Sequence, residues 1–232
     1  MSVTFMELGL QPYSSTHAAM KRFTDERGDA TEDQIWTLEH PPVYTLGLAG
    51  RLEHVHSPGD IAVIKTDRGG QVTYHGPGQL VVYTLLDLRR LQISPRSLVQ
   101  RLEQAVIDLL GELGIRGNRC PGAPGVYVDD GKIAALGVRI RRGRSYHGLA
   151  LNVDVDLKPF AGIDPCGYPG LRVTRLADLG VTLERARVAA RLQPHLLSHL
   201  GLDAQVTGAP GRAIRVPSAR MQRPLQAPSH GR

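Results

Sequence analysis

A chain of 232 residues, 41% hydrophobic and 22% charged, is long enough for one sizeable domain and apolar enough to core it. No run of about 18 uncharged apolar residues occurs, which excludes a conventional membrane helix. The formal net charge of +6 fits an acidic partner or simply a basic surface; nucleic acid is disfavoured, because one tryptophan and 5% aromatic residues give little with which to stack bases.

Residues 1–7 lack the basic-then-apolar layout of a secretory signal. Cys120 and Cys166 are therefore expected to be reduced thiols in the cytoplasm. Ser14, Ser15 and Thr16 offer caps for a helix over 17–27, with Gly28 as its stop. Strands are predicted over 34–39 and 43–46, parted by His40-Pro41-Pro42. Residues 51–59 read as a solvated polar loop. His54 and His56 alternate in it, but no ligand set with metal spacing accompanies them, so no metal is expected.

A strand over 61–65 leads into a glycine-rich loop, 68–80, and a strand over 80–88 follows. The loop reads Arg68, Gly69, Gly70, Gln71, Val72, Thr73, Tyr74, His75, Gly76, Pro77, Gly78, Gln79, Leu80. Glycines let backbone come close to a bound molecule, so the loop and the strand after it are expected to wall a pocket. It lacks the Gly-Lys-Ser/Thr ending of a nucleotide loop and runs into a strand, which argues against phosphate. Arg68 either holds a carbonyl, carboxylate or phosphate, or braces the loop.

Ser94 and Pro95 open a helix whose apolar stripe is Leu98, Leu102, Val106, Leu109 and Leu113, closed by Gly114. Residues 119–125 are predicted as a loop, 126–128 as a strand, 129–131 as a hairpin turn, and 132–141 and 145–153 as paired strands. Residues 157–172 read as irregular. A helix is expected over 182–200, kinked or broken at Pro194, and a strand over 204–207 in a small C-terminal lobe. Residues 1–215 are read as one domain and 216–232 as a basic, proline-bearing, disordered tail. Strands in tight succession with helices in separate blocks give an α+β class with a largely antiparallel sheet.

Cys166 lies between Pro165 and Gly167 on a bend. Locally it reads either as an inert thiol or as a nucleophile whose own amide and that of Gly167 face an oxyanion. Lys132 opens an apolar strand. It reads as a surface lysine, or as one whose pKa falls on burial and which exchanges a proton with a thiol. His75 and His147 are the other candidate bases, and each reads equally as a structural histidine.

Three blocks in order resemble the lipoyl(octanoyl) transferase family. They are residues 68–80, the strand Gly131-Lys132-Ile133-Ala134-Ala135-Leu136-Gly137, and Tyr146-His147-Gly148-Leu149-Ala150-Leu151-Asn152 leading to Pro165-Cys166-Gly167. The resemblance implies the fold of the biotin/lipoate protein ligase catalytic domain, a mixed, largely antiparallel sheet with flanking helices. It implies transfer of an octanoyl or lipoyl group from acyl carrier protein to a lysine of lipoyl domains, those of 2-oxoacid dehydrogenases and the glycine cleavage H protein. Cys166 would carry the acyl thioester and Lys132 would tune it, with His147 as a possible supporting residue. Substrate contacts would come from Arg68 to His75, from Ala135, Leu136 and Gly137, and from Gly148, Leu149 and Ala150. No cofactor and no metal is implied. The small residues Ala135, Gly137, Gly148 and Ala150 are expected to leave room for the acyl chain, and Arg139, Arg141, Arg142 and Arg144 to steer an acidic carrier or acceptor. The alternatives are an ATP-dependent lipoate or biotin ligase, which usually has Asp where this chain has Gly76 and Asn where it has Gln79, and a non-catalytic acyl-protein binding module.

Overall fold

The computed structural model describes residues 1–205. Its centre is the strand β6 (Gln79–Leu85), buried along its whole length. An uninterrupted apolar run is what a strand covered on both faces requires. Leu80 and Val82 face one way, toward α2 (Pro95–Glu112) and α3 (Arg185–Leu200); Val81, Tyr83 and Leu85 face the other, toward α1 (Tyr13–Glu26).

β6 belongs to a sheet of eight strands. The others are β1 (Ser2–Leu10), β2 (Asp33–Glu39), β7 (Asn118–Cys120), β8 (Ala123–Val128), β9 (Gly131–Arg141), β10 (Arg144–Asn152) and β11 (Asp203–Gln205). Their order is β11-β1-β2-β6-β10-β9-β8-β7, and only the β11–β1 and β1–β2 pairs are parallel. A second sheet, β4-β3-β5, combines β3 (Val43–Leu46), β4 (Ala62–Lys65) and β5 (Val72–His75) over a small core of Tyr44, Val63, Tyr74, Phe160 and Ile163. The α+β class and the largely antiparallel main sheet agree with the sequence.

Several elements differ from expectation. The glycine-rich stretch is not all loop, because Val72–His75 pairs with β3 as a strand. Residues 119–125 belong mostly to the β7–β8 hairpin. β1 was not foreseen: only Val3 of its nine residues is buried, so it carries no alternating pattern. α1 starts at Tyr13 behind Pro12, and Thr16 sits in the first turn with its hydroxyl donating to the Pro12 carbonyl. α3 begins at Arg185 and runs through Pro194. The stripe Val188, Leu192, Leu196 and Leu200 is buried on both sides of the proline and holds the helix together across the missing hydrogen bond. The last strand spans Asp203–Gln205 and extends the main sheet beside β1 rather than a separate lobe. The expected tail, 216–232, lies outside the described residues.

The capping reading of α2 agrees with the structure: the Ser94 hydroxyl accepts from the Ser97 amide, with Pro95 in the first turn. Among the described residues no helix is long and apolar enough to cross a membrane.

Candidate active site

Cys166 and Lys132 meet because the segment between residues 162 and 174 is pinned at both ends. At one end Val55 and Ile163 form a β-bridge, and the His56 and Ser57 amides donate to the Gly162 carbonyl at 2.8 and 3.0 Å. At the other, the Lys132 amide donates to Arg172 and the Thr174 amide to Lys132, at 2.9 and 3.1 Å, so the segment runs alongside the start of β9. Cys166 sits between the pins on a single turn, Pro165–Gly167, that packs against β5. Its φ is +59°, a left-handed conformation costly for a side chain with a Cβ and held only by its surroundings.

Lys132 Nζ lies 3.1 Å from Cys166 Sγ and donates to the Pro124 carbonyl at 3.0 Å; it also stands 5.1 Å from the centre of the Tyr127 ring. The side chain is buried. Burial works against its charge, as the sequence suggested, but the cysteine sulfur and Tyr127 outweigh it, and the ammonium is held more tightly than in water. The expected fall in pKa is therefore reversed. An ammonium locked against sulfur is the partner that stabilises a thiolate.

The turn is clamped from below. The Asp164 carboxylate receives His54 Nδ1 at 3.0 Å and His56 Nε2 at 2.9 Å, and these bonds hold it below the usual carboxylate range. His54 and His56, read as solvated, are thus anchors of the cysteine turn. The Gly167 amide donates to the Asp164 carbonyl at 2.9 Å, so it is not free to meet an oxyanion.

Three cavities border Cys166, the smallest of them, about 10 Å³, lying between Lys132, Asn152 and Phe160. An inner one of about 50 Å³ has apolar walls from Val72, Val81, Ala135, Leu149 and Ala150, and Tyr13, His75, Tyr83 and His147 also line it. An outer groove of about 350 Å³ runs past Lys132, Pro124, Val138 and Tyr168. Cys166, Gly70, Gln71, Leu136 and Gly137 line both.

Of the residues expected to contact substrate, Arg68, Gly70, Gln71, Val72, Thr73, His75, Ala135, Leu136, Gly137, Gly148, Leu149 and Ala150 line the inner cavity. Gly69 lines only the outer groove. Tyr74 does not line the inner cavity and packs in the core of the small sheet, against Tyr44 and Phe160. Arg68 braces the loop: its guanidinium donates to Thr45 Oγ1 and to the carbonyls of Thr45, Gly69 and Gln71 at 2.6 to 3.0 Å. Gly137 has a backbone reason beyond leaving room, since a Cβ there would stand 2.8 Å from the Gly69 carbonyl oxygen; one at Gly148 would collide with the Val82 carbonyl.

His147 does not bond to Lys132 or Cys166. Its Nε2 lies 3.0 Å from Asp67 Oδ1, which His17 Nε2 approaches at 2.7 Å, and Tyr146 donates to Oδ2 at 2.5 Å. Burial opposes charge on Asp67, but these bonds prevail and hold its carboxyl far below the usual range. His17, Asp67 and His147 converge closely enough to ligate a metal, yet both imidazoles already bond the same carboxylate oxygen. Burial brings His147 and His40 down to about 4 and His75 to about 3, so all three rings are neutral near pH 7.

Tyr13, Val81 and Tyr83 line the cavity without having been singled out. Tyr13 is the first residue of a helix expected to begin later; the two β6 residues lie on the strand expected to wall the pocket, though neither was named as a contact. Tyr83 carries a signal in hindsight, a hydroxyl in the middle of a strand buried on both faces, which must find a partner.

A sequence model of the lipoyl protein ligase A/B catalytic domain matches residues 12–197. The chain belongs to this family. A protein of Pseudomonas entomophila called octanoyltransferase is 58% identical over 201 residues, covering 87% of this chain and 94% of that one. Another of that name, from Chromobacterium violaceum, is 57% identical over 198 residues, covering 85% and 96%. Among solved structures, lipoate-protein ligase A bound with ATP superposes with a TM-score of 0.74 at 16% identity, covering 88% of each chain. Biotin protein ligase from Aquifex aeolicus, in complex with biotin and ATP, superposes at 0.53 and 14%, covering 85% and 70%. At these identities the superpositions establish the fold, and it is the ligase-type catalytic fold expected from the sequence.

Proposed function

We propose that this chain moves an octanoyl group from acyl carrier protein to a lysine of a lipoyl domain, in lipoate biosynthesis, through a thioester on Cys166. The observation that carries this reading is the 3.1 Å approach of Lys132 Nζ to Cys166 Sγ at the junction of an apolar cavity and an open groove. The names of the close relatives support the octanoyl group.

The Cys166 thiolate attacks the carrier's thioester carbonyl, forming a new C–S bond. As the carrier thiolate leaves, Lys132 gives it a proton and becomes a neutral amine. The acceptor lysine then attacks the Cys166 thioester, Lys132 takes the proton released from the incoming amine, and the Cys166 thiolate departs. Protons balance over the cycle, and the ion pair is restored. Exchanging one thioester for another is nearly neutral, while thioester to amide runs downhill, so the cycle needs no nucleotide. With the Gly167 amide engaged, the Cys166 amide is the one left to meet the oxyanion.

An inner cavity of about 50 Å³ is too small for about seven CH₂ and CH₃ groups, so its walls must part to admit the acyl chain; burying those groups then contributes on the order of 5 kcal/mol, less the cost of that opening. Acceptors are lipoyl-domain proteins, among them those of 2-oxoacid dehydrogenases and the glycine cleavage H protein, met in the cytoplasm.

An ATP-dependent ligase would activate its acid as an adenylate and would have no use for a thiol beside a buried ammonium. A Cβ at Gly76 would collide with the Tyr74 hydroxyl, so this loop is not shaped for the aspartate usual in such ligases. The test is to mix the protein with octanoyl-acyl carrier protein, without nucleotide, and to weigh it intact. An octanoyl adduct mapping to Cys166, and lost in Cys166→Ser, is expected. An unmodified protein would reject the reading.

A further inference from the structure

We propose that Tyr83 is the end stop of the acyl cavity and sets the longest chain the site accepts. The inference rests on the thioester reading of Cys166. The residues that line both the inner cavity and the outer groove mark the mouth, with Cys166 among them. Val81 and Tyr83 are among the residues that line only the inner cavity, and they stand on β6, which β10 separates from the mouth residues Leu136 and Gly137 of β9.

Register shows how the cavity closes. Across the main sheet, Ala135 pairs with Ala150 and Ala150 with Val81; in the next row on the same face, Gly137 pairs with Gly148 and Gly148 with Tyr83. Along each row the side chains grow, from methyl to isopropyl and from hydrogen to a phenol. The strip is a shallow trough on β9 and β10 that fills at β6.

The Tyr83 ring cannot easily step aside. His40 Nδ1 lies 2.6 Å from the Gln11 carbonyl, which can only accept, so the proton sits on Nδ1. The Tyr83 hydroxyl therefore donates to His40 Nε2, at 2.7 Å. The ring is also buried and set edge-on to His147, with centroids 5.9 Å apart. A chain too long for the cavity must either break a buried hydrogen bond or leave methylenes in the open groove, and each choice loses binding.

The experiment charges acyl carrier protein with chains of four, eight and twelve carbons and follows Cys166 acylation by intact mass in a single turnover. Tyr83→Ala is expected to raise the twelve-to-eight rate ratio about tenfold, the yield of burying about two more methylenes. Tyr83→Phe, which keeps the ring but frees it from His40, should raise that ratio by less than Tyr83→Ala does. A purely structural tyrosine would slow all chains alike, and an unmoved ratio in Tyr83→Ala overturns the proposal. If Tyr83→Ala does not fold, Ala150→Val decides: it narrows the trough beside Val81 and should slow the eight-carbon donor about tenfold more than the four-carbon one, and equal slowing overturns the proposal. A wild-type protein that acquires no acyl group from any donor rejects the thioester reading itself, whereas normal acylation with unmoved ratios rejects only the end stop.

Discussion

Gly125 lies directly beneath Lys132: a Cβ at Gly125 would stand 2.9 Å from Lys132 Cε, 3.2 Å from Nζ and 2.8 Å from the Ala134 carbonyl oxygen. Its φ of +147° is also one that side chains rarely adopt. The absence of a side chain at Gly125 is therefore what lets Lys132 lie against Cys166. Gly125→Ala should push the ammonium off the sulfur and cut kcat by at least about tenfold, with a smaller effect on KM. Steady-state kinetics beside a thermal melt checks this; unchanged kcat in a folded variant would show that the ammonium has slack.

Asp164 should act through the cysteine turn it anchors. Asp164→Ala removes the acceptor for both His54 and His56, freeing the segment that holds Cys166 in its left-handed conformation. An approximately tenfold loss in the rate of Cys166 acylation is expected, with partial recovery in Asp164→Asn, which keeps one carbonyl oxygen. Equal rates in all three proteins would mean that the turn holds itself.

The buried histidines predict a stability that falls with acid. His40 and His147 titrate at about 4 and His75 at about 3 in the folded state, below the 6.5 of a free imidazole, so the unfolded chain binds more protons between those values. Stability is full above about pH 6.5 and declines as the pH falls toward 4. A single ring costs about 3 kcal/mol by the bottom of that window; the three share one cluster and do not simply add. Asp67, held below the ordinary carboxylate range, loses its contribution only at still lower pH. The urea midpoint measured from pH 8 to 4 should stay flat and then drop below about 6.5. A flat profile to pH 4.5 would contradict the neutral burial of these rings.

The arginines grouped as a steering patch divide into two kinds. Arg144 is an internal brace, donating to the Arg27 carbonyl at 2.6 Å and pairing with Asp29 and Asp87, and Arg141 pairs with Asp25 at 3.1 Å. Among the described residues Arg142 forms no ion pair and is exposed at the turn. Arg144→Glu should lower the melting temperature. Arg142→Glu should leave it alone but slow association with an acidic carrier several-fold at low salt, a difference that shrinks as salt is added. Identical salt dependence in Arg142→Glu and wild type would remove Arg142 from any steering role.

What could be read in advance was local. β3 (Val43–Leu46), α2 with its Ser94 cap, and the β9–β10 pair follow from spacing and turn chemistry, and the Pro-Cys-Gly bend and the strand-opening Lys132 were both visible. That they touch followed from the family resemblance and not from any local pattern: 34 residues separate them, and their meeting depends on two β-bridges made with other parts of the chain. β5 was hidden because glycines flank four strand-forming residues, and β1 because a strand with one buried residue shows no alternation. The Asp164 clamp and the Tyr83–His40 bond join residues far apart in the chain, so no window along it could have displayed them.

The most direct test of the thioester mechanism is a chase. Protein loaded with octanoate on Cys166 and freed of donor is mixed with a lipoyl domain, and the first turnover is timed by intact mass. The account predicts that the octanoyl group leaves Cys166 and appears on the acceptor lysine at least as fast as steady-state turnover. An acyl group that stays on Cys166, while fresh donor and enzyme still modify the acceptor, would contradict it.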